Sequence, residues 1–398
     1  MPRDVIYLDH AATTPVAPVV VEAMLPYFSA AFGNASSRSH PAGWAAAEAV
    51  ERARAALAGL VGAPDPTRLY FTSGSTEAVN LAVLGTARRY AGRGRHVVTA
   101  RTEHSAVLGA CAALEREGFA VTYLDPDADG RVPAARLRAA LRPDTTLAAL
   151  MWANNETGVL QDVAAYAASC RDAGVVYFCD ATQAVGKVPV DVAALGIDAL
   201  ALSAHKFYGP QGVGALYVAD RAGLAAPRPL LHGGGQEAGL RPGTLNVPGI
   251  VGLGAAAALA TAEMHDNARR LGRLRDGFET RLTAALDAVY VNGADAPRLP
   301  HVSNVTIRFA EAEALLSRLQ RRVAVSTGSA CASATLDPSH VLLAMGLDRE
   351  DARGALRVSL GRDTVPEHVA DATEAIVAAA GAVRAESPLY ELYLDGAL

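Results

Sequence analysis

Asp198-Ala199-Leu200-Ala201-Leu202-Ser203-Ala204-His205-Lys206 is an apolar run that ends in small residues, a histidine and a lysine. The run has the length and composition of a buried strand, so Lys206 is expected to project at a strand's C-terminal end. Working outward, short apolar runs alternate with helical patterns from about Arg68. Strands are expected over Leu69–Thr72, His96–Ala100, Ala120–Leu124, Leu147–Trp152, Val175–Cys179, Ala199–Ser203 and Val213–Val218. Helices are expected between them over Thr76–Tyr90, Ser105–Glu117, Pro133–Leu141 and Val163–Ala173. That alternation predicts an α/β fold with a mostly parallel, doubly wound sheet, whose ligands bind at the C-terminal strand ends. After Gly243 the texture changes. A long helical pattern with breaks covers Val247 to Ala288, followed by strand and helix patterns at Ser303–Phe309, Ala312–Leu319, Leu356–Leu360 and Glu367–Ala385, which read as a smaller α+β domain.

The bulk properties agree with a folded chain of more than one domain. It has 398 residues, 51% hydrophobic and 19% charged, with a formal net charge of -5; domains usually run to roughly 100–200 residues. The acidic balance and short arginine stretches give no basic face, so no direct nucleic-acid binding is expected. Met1 to Thr14 carries Arg3, Asp4 and Asp9 and so lacks the apolar core of a signal peptide. The longest apolar run, Gly249 to Ala262, is shorter than the ~20 residues that span a bilayer. The four cysteines (Cys111, Cys170, Cys179, Cys331) show neither CxxC spacing nor a nearby histidine cluster, so no metal site is expected and reduced thiols in a cytoplasm fit.

A lysine at a strand end beside glycine turns can bond covalently to an aldehyde cofactor, and pyridoxal 5′-phosphate (PLP) needs such a lysine with an acid for its ring nitrogen. Asp180 ends the preceding expected strand and is that acid. Thr72-Ser73-Gly74-Ser75-Thr76-Glu77 lies between a strand and a helix, where hydroxyls and free N–H groups cradle phosphate. Ser203 and His205 can add donors. His104, in Thr102-Glu103-His104-Ser105, follows a strand and can stack on the cofactor ring and move protons. Taken singly, Lys206 and Asp180 are better explained as a surface lysine and a helix-capping aspartate; their pairing on neighbouring strand ends favours the chemistry instead.

Longer blocks then carry a resemblance: Tyr7-Leu8-Asp9-His10-Ala11-Ala12-Thr13-Thr14, Phe32-Gly33-Asn34-Ala35-Ser36-Ser37, Ser73-Gly74-Ser75-Thr76-Glu77, Asn154-Asn155-Glu156-Thr157-Gly158, Asp180-Ala181-Thr182-Gln183-Ala184-Val185-Gly186, Ser203-Ala204-His205-Lys206 and Ser329-Ala330-Cys331. In this order, over nearly the whole chain, they resemble the cysteine desulfurase family of class-V aminotransferase-like, fold-type-I PLP enzymes. The resemblance implies a large domain (15–255) with a mostly parallel seven-stranded sheet flanked by helices, and a smaller α+β domain formed by 1–14 and 256–398.

It also implies roles. Lys206 would hold PLP and move the substrate's Cα proton, Asp180 would pair with the ring nitrogen, and Gln183 with the phenolate oxygen. His104 would stack on the ring and act as acid–base. Ser75, Thr76, Ser203 and His205 would bind the phosphate, and Thr244 would reach it from the neighbouring subunit of a homodimer with shared active sites. Asn155 and Arg357 would hold the carboxylate of L-cysteine. Cys331 would take the sulfur as a persulfide, for transfer to an acceptor protein in iron–sulfur cluster assembly, tRNA thiolation or DNA phosphorothioation. Its surroundings, Ser326-Thr327-Gly328-Ser329-Ala330-Cys331-Ala332-Ser333, are too small to pack a core and read as a mobile loop, about 325–337, of the family's long form. Ala238 and Pro242 depart from the arginine and serine common in the family. Selenocysteine lyase and aminotransferase reactions share the PLP residues and are separated from desulfuration only by the cysteine loop.

Overall fold

The computed structural model describes residues 5–327 and 337–396; Cys331 and most of its loop lie outside them. A seven-stranded sheet runs in the order Leu69–Thr72, Gly214–Val218, Ala199–Ser203, Val176–Asp180, Thr145–Ala149, His96–Ala100, Ala120–Leu124. All neighbours are parallel except those of Gly214–Val218, which is antiparallel to both of its partners. All of these strands except the edge strand Ala120–Leu124 are buried on both faces, so alternate residues enter two different cores. Tyr177, Cys179, Leu200 and Leu202 pack on one side, and Val176, Phe178, Ala199 and Ala201 on the other. Helices cover both sides, as a parallel sheet requires.

The expected strand Leu147–Trp152 is shifted: the strand is Thr145–Ala149. It starts earlier because Thr145 and Thr146 are β-branched and buried. It ends earlier because the Met151 amide is diverted to the buried Glu103 carboxyl at 2.7 Å, although Leu150 and Trp152 still donate to Phe178 and Asp180. The expected breaks in the long helix are absent: Val247–Ala285 is continuous over 39 residues. Its proline lies in the first turn, where a missing N–H costs nothing, and the Asn246 side chain caps its start.

By length and composition this helix could cross a bilayer, with an 18-residue stretch of hydropathy 1.5, yet half of that stretch is buried. Its first half joins the main core through Ile250, Leu253, Ala256 and Ala257. Its second half joins a separate core through Leu271, Phe278 and Leu282. The first half packs along an alanine-rich helix, Pro41–Val61, that the sequence pattern did not disclose. Gly254 permits that approach, since a Cβ there would lie 2.5 Å from the Ala53 Cα.

The separate core also takes in Leu8 and the antiparallel sheet Ala355–Ser359, Val302–Ile307, Val289–Val291. Ile6–Tyr7 pairs with Val323–Ala324 beside it, and Asp9 bridges to Ser359. Residues 6–12 therefore run from the small sheet to the strand ends of the large one.

Candidate active site

The register Asp180↔Ala201 puts the end of one central strand beside the strand that leads to Lys206. Lys206 lies in a single turn of 3-10 helix, Ala204–Lys206, directly after that strand. Its Nζ donates to the carbonyls of Ala11 and Ala12 at 2.7 and 2.8 Å. The Gln183 amide also donates to Ala11, at 3.0 Å, so the N-terminal segment straps the site. Asp180 accepts from the Thr182 amide at 3.0 Å and from its hydroxyl at 2.5 Å, which fixes the carboxylate's orientation.

His104 caps the helix Ser105–Arg116, its Nδ1 accepting from the Ala106 amide at 3.1 Å. Burial lowers its pKa, with Lys206 adding to the shift against the pull of Asp180, so the ring is neutral, and the Ala106 contact puts its proton on Nε2. His205 is likewise held neutral, at about 4, by burial and by Lys206; its Nδ1 meets the Thr13 hydroxyl at 3.0 Å.

Ser75 and Thr76 open the helix Ser75–Tyr90, whose first amides have no partner within the helix. Gly74 before it has φ 154° and ψ 179°, a conformation essentially reserved for glycine. The Ser203 Oγ lies 3.8 Å from where a Gly74 Cβ would sit. Space is therefore not the obstacle to a larger residue; backbone strain is. Gly74→Ala should weaken cofactor binding by about 1–3 kcal/mol, roughly 5- to 150-fold, in an equilibrium titration of the apoprotein with PLP; unchanged affinity would separate this turn from the phosphate.

Arg357 reaches the same place from the small sheet. Its side chain is buried, with one terminal nitrogen 2.7 Å from the Asn155 carbonyl and the other 2.7 Å from the Asp9 Oδ1. A cavity of about 390 Å³ results, lined by Ser75, Thr76, His104, Asn155, Asp180, Gln183, His205, Lys206 and Arg357 together with Glu156 and His340. Ser203 is buried behind the glycine turn and does not line it. Thr244 is exposed and also lies outside it.

Sequence reasoning passed over four participants. Glu103 is fully buried and its carboxyl is pushed well above the ordinary range, with Oε2 unpartnered. Glu156 is buried, its pKa raised by burial against the Ser339 hydroxyl that donates to it. The Ser339 Oγ in turn caps the helix His340–Ala344, and the His340 Nε2 lies 3.0 Å from the Glu103 carbonyl. Both glutamates stand inside motifs quoted for their neighbours, and only the fold reveals their partners. Cys111, Cys170 and Cys179 are buried free thiols, the first two pushed up to about 12 by burial.

A lysine, an acid and a neutral imidazole around a cavity at the C-terminal ends of a parallel sheet define a PLP enzyme of the α/β type. Known proteins agree. The aminotransferase class-V family matches residues 6–371. The cysteine desulfurase IscS of Anaeromyxobacter dehalogenans (strain 2CP-C) is 50% identical over 393 residues, covering 98% of this chain and 96% of that protein. Among solved structures, a NifS-like protein superposes with a TM-score of 0.86 at 34% identity, over 94% of this chain and 98% of that one. SspA in complex with cysteine gives 0.79 at 37% identity, over 90% and 99%. The chain belongs to the class-V aminotransferase family and, within it, to the cysteine desulfurases. PLP is the cofactor of such enzymes, and the residues present fit it: a strand-end lysine, an oriented carboxylate, and a helix N-terminus opened by a glycine-only turn.

Proposed function

We propose that this chain removes sulfur from L-cysteine, releases L-alanine and keeps the sulfur as a persulfide on Cys331. The observation that carries this reading is the convergence of Lys206 and Arg357, from two different sheets, on one cavity. Lys206 would hold PLP, Asp180 would face its ring nitrogen, Gln183 its phenolate oxygen, and Ser75, Thr76 and His205 its phosphate, with Ser203 buried against the Gly74 turn that shapes this cradle. When bound, PLP draws electrons from the substrate and so loosens its Cα proton and its carbon–sulfur bond.

The protein's own groups do the rest. Arg357 and Asn155 hold the substrate carboxylate. The Lys206 amine, steered by the Ala11 and Ala12 carbonyls, carries the Cα proton. His104 would stack on the ring and offer its Nε2 proton. Cys331 takes the sulfur: a sulfur–sulfur bond forms while the carbon–sulfur pair stays with carbon. The three buried thiols are poor rivals, because burial holds them protonated.

The chain is read as two units, 15–255 and 1–14 with 256–398, supported by the separate cores that the long helix joins. It is read as a homodimer in which Thr244 serves the partner's phosphate site. Thr244 is exposed, and segments 35–38 and 235–238 line one open groove near it, with Trp44 and Phe32 exposed (55% and 75%). Unpaired buried thiols support a cytoplasmic setting. The persulfide would pass to an acceptor protein.

The test is incubation with L-cysteine and a thiol reductant, quantifying alanine and sulfide. Equimolar products are expected, with steady sulfide release lost in Cys331→Ala while the cofactor colour stays. Unchanged turnover in that variant would remove Cys331 from the reaction.

A further inference from the structure

The proposed reaction leaves one proton without a carrier. Cysteine arrives with an S–H, and the sulfur leaves as a persulfide, a stronger acid than the thiol, so that proton has to be accepted as the sulfur–sulfur bond forms. The described groups lining the cavity are mostly committed. Lys206 handles the Cα proton. His104 has its Nδ1 lone pair engaged by the Ala106 amide and can only donate through Nε2. The His205 Nδ1 is engaged by Thr13, and Asp180 is held by Thr182. Glu156 is buried, biased toward its protonated form and occupied by the Ser339 hydroxyl.

His340 is different. It opens the helix His340–Ala344, held in place by the Ser339 cap beside it. Its Nε2 is 3.0 Å from the Glu103 carbonyl, and a carbonyl can only accept. The proton is therefore on Nε2, and in the neutral ring Nδ1 keeps its lone pair. His340 is exposed and lines the cavity, so a proton taken up there can pass on to water.

We propose that His340 is a further catalytic residue: its Nδ1 accepts the hydrogen bond of the substrate thiol and takes that proton as the sulfur leaves carbon. The step is a proton transfer from sulfur to nitrogen, giving an imidazolium and a persulfide anion, with no change of oxidation state beyond the sulfur transfer itself. It rests on the desulfurase reading.

The bland alternative is that His340 only ties its helix to Glu103. His340→Gln separates the two, because its amide can still donate to the Glu103 carbonyl but cannot take a proton. Turnover is compared on L-cysteine and L-selenocysteine, normalised to bound cofactor; the selenol is already ionised at neutral pH and has no proton to give. Cysteine turnover should fall by about 100-fold or more, in the range of a positioned base, while selenocysteine turnover stays at the wild-type level. Equal loss on both substrates, or no loss on cysteine, overturns the proposal. A wild type that makes no alanine from cysteine would instead refute the desulfurase reading, and that result is visible before the variant is assayed.

Discussion

Replacing Lys206 with alanine should abolish cysteine turnover, by more than about a thousandfold, while leaving the fold at least as stable as before. The loss is large because one side chain has two tasks. It attaches the cofactor covalently, and as a positioned base it carries a proton, a role typically worth 10²–10⁴ alone. The fold should survive because Lys206 stands among like charges. Lys187 is buried nearby, and burial followed by the Lys206 charge lowers it to about 8. The same charge helps to depress His205. Removing Lys206 relieves this repulsion and gives up two hydrogen bonds to the Ala11 and Ala12 carbonyls. Strained, self-repelling groups at a working site commonly trade stability for activity in this way. The measurements are alanine production, the visible absorbance of bound cofactor after dialysis, and a thermal melt. Turnover retained with the lysine gone, or a cofactor spectrum like that of the wild type, would count against Lys206.

Part of this site can be read in the sequence because Asp180, His104 and Lys206 stand at or just after strand ends. The strands Leu69–Thr72, His96–Ala100, Ala120–Leu124 and Ala199–Ser203 lie where the apolar runs end. A residue that follows a buried strand in a doubly wound sheet faces the crevice almost irrespective of its neighbours. That is why Asp180, His104 and Lys206 could be named from local pattern. What stays hidden is pairing between distant positions. Nothing near Glu156 in the chain announces that Ser339, 183 residues away, will donate to it. The strap at Ala11 and Ala12 acts through backbone carbonyls, which no side-chain motif encodes. The helix Pro41–Val61 is hidden for another reason. Its inward face carries alanines at 46, 49, 53 and 58 and a buried arginine at 54, so apolar and polar faces contrast weakly and the 3.6-residue period fades. The long helix Val247–Ala285 carries the same small residues; its pattern reads as broken, yet the helix is continuous and Gly254 is one of its contact points.

Arg357→Lys should raise the KM for L-cysteine by about 10- to 100-fold, with a smaller effect on kcat. The guanidinium is already divided between two partners, the Asn155 carbonyl and the Asp9 carboxylate, each at 2.7 Å. Its planar fork leaves a second hydrogen on each terminal nitrogen, so both can keep their protein partner and still face a planar carboxylate. A lysine ammonium offers one nitrogen on a flexible stem and cannot serve three acceptors set that far apart. The charge remains, so the expected loss is that of one charge-assisted hydrogen bond, about 1.5–3 kcal/mol, and a tenfold step in affinity is 1.4 kcal/mol. The effect should fall on KM because the carboxylate does not change its charge during the reaction and is held alike in the ground and transition states. Some loss in kcat is expected through Asp9, since that residue anchors the segment whose next turn holds Lys206. Cysteamine, which lacks the carboxylate, provides the control. The wild type should strongly prefer L-cysteine to cysteamine, and in Arg357→Lys that preference should shrink by the same factor as the rise in KM. A preference that survives the substitution would assign the carboxylate to another residue and leave Arg357 as the tie between the small sheet, the N-terminal strap and the Asn155 turn.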